Sequence, residues 1–198
     1  MARRSLMNAG LITCAGALGN KRLFFEPTRG EDGRGERWAE AHGIELPKLH
    51  GGVLHSFCIS RSEQRIATAW PGAKFVHRRT GEPAGVRPDS LIQLPGADGR
   101  LIALQVALGH EPKGEVANLL KLLGISNGDA SNEQPSWGGG PVGLVICIAG
   151  SRRIMKAVET GVKRENAGQL PVNLVLIDGE ESLFSPDFSW GDVLQREA

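Results

Sequence analysis

The stretch "VGLVICIAG", residues 142–150, constrains the fold most, because its nine residues carry no charged side chain and no polar one except a thiol. A continuously apolar strand is typical of a position buried on both faces of a parallel or mixed sheet. The following segment, 151–166, predicts an amphipathic helix, and 170–178 ("LPVNLVLID") predicts a second buried strand. The sequence therefore predicts an α/β protein whose sheet is covered by helices.

The segments between residues 60 and 125 extend this pattern toward the N-terminus. They predict, in order, a helix, a strand, a hairpin and an amphipathic helix: "SRSEQRIATAW", "AKFVHRR", "DSLIQL" with "RLIALQVAL", and "PKGEVANLLKLLGI". Ser60 or Ser62 is the predicted N-cap of the first helix, and Gly124 the predicted end of the second. The order helix, three strands, helix, strand, helix, strand predicts a mixed sheet flanked by helices.

The first 48 residues have a different pattern. They predict a helix closed by Gly10, a strand "LITCA", a turn at Gly19-Asn20, a strand "KRLFFEP" and a helix that ends at Gly43. This is the order of a winged helix from its recognition helix onward, with two helices expected before Met1. A generic β-hairpin with flanking helices is the alternative. We therefore predict a partial winged helix over 1–48 and a second domain over 49–198.

Charge is distributed unevenly along the chain. Residues 1–80 hold 13 Lys and Arg against 7 Asp and Glu, whereas residues 81–198 hold 10 against 15, so a net charge of +1 hides a basic first part. A basic surface favours a polyanionic partner, although a merely solvated face gives the same composition. The chain contains no tyrosine, which excludes a tyrosine-nucleophile mechanism of DNA cleavage by this polypeptide alone.

Cysteine usage and hydropathy indicate the compartment. Cys14, Cys58 and Cys147 are widely spaced and form no CxxC pair, which predicts buried thiols rather than disulfides or a zinc site. No apolar run reaches the roughly 20 residues that span a bilayer, and the N-terminus lacks the apolar stretch of a signal peptide. We expect a cytoplasmic protein with no membrane partner.

The hairpin "RPDSLIQLPGADGRLIALQVAL", residues 87–108, carries the candidate chemistry. The order of elements around it matches the core of the PD-(D/E)xK nuclease fold, a restriction-endonuclease-like fold that binds Mg²⁺ through acids on two strands. Asp89 occupies the first acidic position, and Gln105, a weaker ligand, occupies the second. Glu63 on the preceding helix is the candidate for a third ligand.

The lysine that assists the attacking water in such sites is replaced by Ala107. Lys113 or Lys121, on the next helix, are the candidates to supply that charge from elsewhere. As an alternative, Asp89 is a carboxylate in a turn that hydrogen-bonds its own backbone, and Gln105 is an amide whose hydrogen bonds are made within the sheet. The chain contains no HExxH, GxxxxGK[ST] or GxSxG motif.

Taken in order, these segments resemble the plasmid replication–relaxation proteins, which join an N-terminal winged helix to a PD-(D/E)xK-like domain. The resemblance rests on "RLFFEPTRGEDGRGERWAEAHGI", "LHSFCIS" with His55, "RSEQRI", "RPD", "LIALQVALGHEPKGEVANLLKLL" and "SPDFSW". The family's central strand usually carries acids where this chain has Gln105 and Ala107. Membership implies a role in plasmid replication, or in the DNA relaxation that accompanies mobilisation.

These features lead to three hypotheses. The first is a protein of a plasmid or mobile element that binds double-stranded DNA, with a nuclease-like domain that does not cut and other replication or transfer proteins as further partners. Its predicted phosphate contacts are Arg3, Arg4, Lys21, Arg22, Arg29, Arg34 and Arg37. The second is a Mg²⁺-dependent nuclease with Glu63, Asp89, Gln105 and Lys121 or Lys113 in its site. The third is a protein-interaction domain without a DNA role.

Overall fold

A computed structural model describes most of the chain. The described residues are 2–19, 22–29, 33–44, 52–76, 87–96, 100–109, 112–125, 136–137 and 140–195. Asn20 of the predicted turn and Lys21 of the predicted strand that follows it lie outside these ranges.

Seven helices and eight strands are present among the described residues. The helices are α1 (Ala2–Asn8), α2 (Arg34–Ala41), α3 (Gly52–Ala69), α4 (Pro112–Leu122), α5 (Arg152–Glu165), α6 (Gly179–Phe184) and α7 (Trp190–Leu194). The strands are β1 (Ile12–Leu18), β2 (Arg22–Pro27), β3 (Lys74–Val76), β4 (Ser90–Gln93), β5 (Leu101–Ala107), β6 (Ser136–Trp137), β7 (Gly140–Ala149) and β8 (Leu174–Asp178).

The chain divides into two compact units, Met1–Phe57 and Cys58–Ala198. The division falls within α3, nine residues beyond the boundary that the sequence predicts between 48 and 49. We call these parts the N-terminal unit and the C-terminal unit and describe each by itself.

The N-terminal unit is built on an antiparallel hairpin of β1 and β2, preceded by α1 and followed by α2. This order of elements is the predicted one. Gly10 and Gly43 both have a φ of +68°, so each supplies the left-handed residue that ends a helix, as the sequence predicts. The first turns of α3 also belong to this unit, where the rings of Phe24 and Phe57 lie 4.9 Å apart.

Thr28, just after β2, holds the start of α2 in place. Gly33, the N-cap of α2, provides no side-chain acceptor, so the first N–H groups of the helix need partners elsewhere. Thr28 Oγ1 accepts from Gly35 N at 2.8 Å, and Thr28 O accepts from Glu36 N at 3.1 Å. Thr28 Oγ1 in turn donates to Gly10 O at 2.7 Å. One threonine thus connects the end of α1, the end of β2 and the start of α2.

The C-terminal unit contains a mixed five-stranded sheet flanked by helices, which confirms the predicted fold class at this level. The strand order is β3-β4-β5-β7-β8. Neighbours are antiparallel from β3 to β5 and parallel from β5 to β8. The short strand β6 pairs with the first residues of β7. The central strand β7 is buried along nearly its whole length, as the apolar stretch predicts.

Helices α4 and α5 pack on one face of this sheet. The core there joins side chains of β5 and β7 to the apolar stripes of the two helices, and Val116, Leu119, Val158 and Val162 are among its members. Ser151 N-caps α5 by accepting from Ile154 N at 3.3 Å. Gly124, with a φ of +72°, follows α4 as predicted.

The predicted start of α3 is wrong. The helix begins at Gly52 rather than at Ser60 or Ser62, so both serines lie in its interior. Ser62 is fully buried, and its Oγ donates to Cys58 O at 2.6 Å, four residues back. A serine inside a helix satisfies its hydroxyl donor in this way, through the carbonyl oxygen of the preceding turn. The apolar segment before Ser60 continues the helix because it has residues to pack against in the N-terminal unit, such as Phe24.

The C-terminal tail packs around Trp190. Trp190 is 2% exposed, its Nε1–H donates to Ser182 O at 3.0 Å, and the ring of Phe188 lies 5.5 Å away in an edge-on arrangement. Arg65 on α3 donates to Ser185 O and Phe188 O, which ties the tail to the helix. No described helix has the length and apolar character needed to cross a membrane.

Two helical glycines are expected to respond oppositely to alanine. A Cβ on Gly161 of α5 would lie 2.6 Å from Val116 Cγ2 of α4, whereas a Cβ on Gly114 of α4 meets nothing within 4 Å. Valine is stiff at χ1, so the helices must move apart, and we expect Gly161→Ala to lower the free energy of unfolding by about 1–3 kcal/mol. Gly114→Ala is expected to raise it by up to about 1 kcal/mol. Urea denaturation of the two variants checks this, and equal midpoints would contradict the packing of α4 on α5.

Candidate functional site

A cluster of polar side chains lies at the end of the β4–β5 hairpin. Ser90 pairs with Leu104, and Asp89 N donates to that same residue, to Leu104 O at 2.9 Å. The side chain of Asp89 bonds to Val106 N, so the two bonds of Asp89 to β5 go to the residues on either side of Gln105. The structure thus places Asp89 close to Gln105, the other residue that the sequence predicts as a metal ligand.

The carboxylate of Asp89 is bonded to the neighbouring strand. Its Oδ2 accepts from the backbone N–H of Val106 at 2.7 Å. Asp89 thus joins the start of β4 to β5 through a backbone bond and a side-chain bond. This arrangement stabilises the hairpin irrespective of any ligand.

Gln105 is 5% exposed, and its side-chain amide makes one hydrogen bond among the described residues. Its Nε2 donates to Glu115 Oε2, on the first turn of α4, at a long 3.4 Å. Its Oε1 has no hydrogen-bond partner among the described residues. A buried amide oxygen without a partner is costly, so this atom marks a position where an additional donor would be favourable.

Glu115 is the member of the cluster that sequence reasoning missed. It is the acid in the first turn of α4, close behind β5 in the chain. A helix that follows a strand closely and packs back on the sheet must bring its first turn near the end of that strand. That signal was available in the sequence, but it depends on which face of α4 turns toward the strand.

Glu63 lies on a different face of the hairpin. Its Oε1 accepts from Ser90 Oγ at 2.6 Å. Ser90 pairs with Leu104, and successive residues of a strand point to opposite faces, so Ser90 points away from the face that carries Gln105. The structure therefore does not bring Glu63 together with Gln105.

The candidate lysines are also separated from the cluster. Ala107 is fully buried, and Lys113 and Lys121 are exposed on α4. At about 100° per residue, they lie roughly 160° and 120° around the helix from Glu115. No described lysine of α4 lies on the helix face that carries Glu115.

The electrostatic environment of the cluster is negative. Cys147 pairs with Gln105 across the parallel β5–β7 ladder and is fully buried. Burial, and after it the nearby carboxylates of Glu115 and Asp89, raise the pKa of the Cys147 thiol to about 12. The thiol is therefore protonated at neutral pH and acts neither as a nucleophile nor as a thiolate ligand.

Each of the three predicted metal ligands has a hydrogen-bond partner within the protein. Asp89 Oδ2 accepts from Val106 N, Gln105 Nε2 donates to Glu115, and Glu63 Oε1 accepts from Ser90 Oγ. Within the described part of the chain, no three His, Cys, Asp or Glu side chains are grouped so that they can hold a metal ion. The cluster is organised as a set of internal hydrogen bonds around one unpartnered amide oxygen.

The predicted DNA-binding residues lie on three elements and one connection of the N-terminal unit. All six described members are exposed: Arg3 and Arg4 on α1, Arg22 on β2, Arg29 after β2, and Arg34 and Arg37 on α2. The guanidinium carbon of Arg3 lies 5.2 Å from the ring centroid of Phe25, which orients the side chain by a cation–π contact. The seventh, Lys21, lies outside the described residues.

No family model, no curated protein and no solved structure matches this chain.

Proposed function

We propose that this protein binds double-stranded DNA through its N-terminal unit and belongs to the replication or mobilisation machinery of a plasmid or similar mobile element. The observation that carries the proposal is the exposure of all six described arginines of that unit. Exposed arginine side chains can contact phosphate oxygens, and such contacts supply a large share of the affinity of proteins for DNA. Other replication or transfer proteins are the further partners that this role implies.

The partial winged helix is part of the same proposal. The order α1, β1, β2, α2 is the one expected from a recognition helix onward, with the hairpin as the wing. Arg3 and Arg4 then belong to the recognition helix. Arg22, which pairs with Leu18 next to the turn, belongs to the tip of the wing, and Arg29 to its base. Arg34 and Arg37 extend the phosphate contacts onto the helix that follows.

The C-terminal unit is proposed to be a restriction-endonuclease-like domain that does not cut DNA. Its order of α3, three strands, α4, β7, α5 and β8 supports this relation, as does the polar cluster at the β4–β5 hairpin. The bond from Val106 N to Asp89 and the neutral Gln105 support the absence of cleavage. In this account the domain is a scaffold for DNA or protein contacts.

Salt dependence tests the binding proposal. Each phosphate contact contributes about −0.9 to the slope of log K against log salt concentration. We expect wild-type protein to bind duplex DNA with a steep negative slope, and Arg34→Ala/Arg37→Ala to bind more weakly with a slope that is shallower by about 1–2. Fluorescence anisotropy with a labelled duplex at several salt concentrations measures both quantities.

Arg152→Ala/Arg153→Ala is the matched control, since it removes two exposed arginines from the C-terminal unit. We expect its slope to equal that of wild type. Failure of the wild-type protein to bind any duplex at low salt would contradict the proposal and favour the protein-interaction hypothesis.

A Mg²⁺-dependent nuclease is the second candidate. The observation that favours it is Gln105 Oε1, a buried oxygen with no hydrogen-bond partner among the described residues, close to the Asp89 carboxylate that bonds to Val106 N. Metal-dependent nicking of DNA that disappears in Asp89→Ala would establish it.

A further inference from the structure

We propose that the exposed face of α2 binds unpaired DNA bases, with one base stacked on Trp38 and the flanking phosphates held by Arg34 and Arg37. This inference rests on the proposed DNA-binding function and extends it from duplex to single-stranded segments. Such segments arise wherever DNA strands are opened.

The acidic residues of α2 lie far around the helix from its exposed tryptophan. Arg34 is four residues from Trp38 and three from Arg37, so the three side chains share one patch. Glu36 and Glu40 are each roughly 160° around the helix from Trp38, although Glu40 is also three residues from Arg37. The neighbour of the indole on this side is therefore the positive charge of Arg34, which complements a phosphate group.

Trp38 is exposed and its ring is held in place. It is 44% exposed, which is unusual for so large an apolar side chain in water. The His42 ring stacks against it with a centroid distance of 4.2 Å and an interplanar angle of 27°. His42 Nδ1 lies 2.7 Å from Trp38 O, which fixes the imidazole at the C-terminal end of the helix. One side of the indole is thus supported, and the exposed remainder is available to a base.

The helix that carries this patch is fixed on the hairpin. Gly35 and Ala39 are buried, so α2 packs through a side that begins roughly 60–100° around the helix from Trp38. Thr28 holds the first turn through the bonds to Gly35 N and Glu36 N. A ring that is already oriented on a fixed helix loses little conformational entropy when a base stacks on it.

Single-stranded DNA is the favoured ligand because proteins that bind single strands without sequence preference combine aromatic rings with cationic side chains. Bases of any identity stack on aromatic side chains, while arginines follow the backbone. Bases of an intact duplex are stacked on each other and do not offer a free face. Loss of the ring is therefore expected to affect single strands selectively.

The test compares Trp38→Ala, Trp38→Phe and Ile44→Ala with wild type. Ile44 is 46% exposed in the same unit and lies outside α2, which ends at Ala41. The Ile44→Ala variant therefore removes a similarly exposed apolar side chain that is not part of the patch of Arg34, Arg37 and Trp38. Affinities for a labelled single-stranded oligonucleotide and for the matching duplex are measured by anisotropy. Thermal unfolding of each variant checks that the unit stays folded.

We expect Trp38→Ala to weaken single-strand binding by about 5- to 150-fold, the range for loss of one stacked base, and to leave duplex binding nearly unchanged. Trp38→Phe should retain most of the affinity. Single-strand binding should quench tryptophan fluorescence in wild type, and that quenching should be lost in Trp38→Phe, since the other three tryptophans lie elsewhere in the chain.

Three results would overturn the inference. Unchanged single-strand affinity of Trp38→Ala, with duplex binding intact, would remove the stacking role and leave the proposed function standing. Equal losses for both DNA forms, or an equal loss in Ile44→Ala, would show that Trp38 contributes only general surface or stability. Failure of the wild-type protein to bind either form would refute the proposed function itself, and this inference with it.

Discussion

Gly35→Ala is expected to detach α2 from the hairpin and to lower the free energy of unfolding of the N-terminal unit by about 3 kcal/mol or more. A Cβ at this position would lie 2.0 Å from Leu11 O and 2.6 Å from Thr28 N. Both are backbone atoms, so no side-chain rotation relieves the clash. The helix must move away, and the bond from Gly35 N to Thr28 Oγ1 is lost with it. Urea denaturation and limited proteolysis of 28–44 measure the effect.

Duplex DNA binding should weaken together with the folding of α2, because Arg34 and Arg37 lose their fixed positions. Gly43→Ala is the matched control. Its added Cβ meets nothing within 4 Å, but Gly43 has a φ of +68°, so the cost is limited to about 1–2 kcal/mol of backbone strain. A Gly35→Ala protein with wild-type stability and wild-type DNA affinity would contradict the docking of α2 on the hairpin.

Gln105→Glu is expected to lower the free energy of unfolding of the C-terminal unit by about 3–5 kcal/mol at neutral pH. The introduced carboxylate would be buried, would replace an amide that donates to Glu115, and would lie between the two residues of β5 that bond to Asp89. Burial and two neighbouring carboxylates all disfavour its charged form, so its folded-state pKa is raised above the unfolded value of about 4.3.

The sign of the pH dependence follows from this raised pKa. Between the unfolded and the folded pKa, the native state binds more protons than the unfolded state, so stability falls as pH rises. Relative to wild type, the variant should therefore be least stable above its folded pKa and recover as pH is lowered toward about 4.3. Urea midpoints measured between pH 4.5 and 8 for variant and wild type test this window.

Gln105→Leu is the control, because it removes the amide without adding charge. It should lower the free energy of unfolding far less than Gln105→Glu does. If Gln105→Glu matched wild type at every pH, the burial and the acidic surroundings of this position would be contradicted. Stabilisation of the wild-type protein by Mg²⁺ would favour the nuclease hypothesis, since a ligand that binds only the folded state raises the unfolding midpoint.

The sheet was predictable because its signals are local. The apolar stretch 142–150 admits few positions other than a strand buried on both faces, and the turn glycines mark the hairpins. The start of α3 was not predictable. The serines at 60 and 62 look like caps in isolation, but residues 52–59 remain helical where Phe57 meets Phe24. That contact joins residues far apart in sequence.

The candidate site was predictable in part for the same reason. The pairing of β4 with β5 alone brings Asp89 close to Gln105, and the positions of the two strands in the sequence are enough to predict this. Glu63 and Glu115 depend on how helices are rotated about their axes. A rotation of the helix by the angle between two successive residues decides whether its acid contacts Ser90, Gln105 or solvent. The packing of the whole unit determines that rotation.

The most direct test of DNA binding without cleavage is one titration of supercoiled and linear plasmid DNA with the purified protein, in Mg²⁺, in Mn²⁺ and in EDTA. Gel shift and DNA topology are scored from the same samples, with Asp89→Ala in parallel. We predict a salt-sensitive shift that is equal for wild type and Asp89→Ala, with the supercoiled DNA left intact in every buffer. Nicking that requires the metal and disappears in Asp89→Ala would contradict the account and make this protein a nuclease.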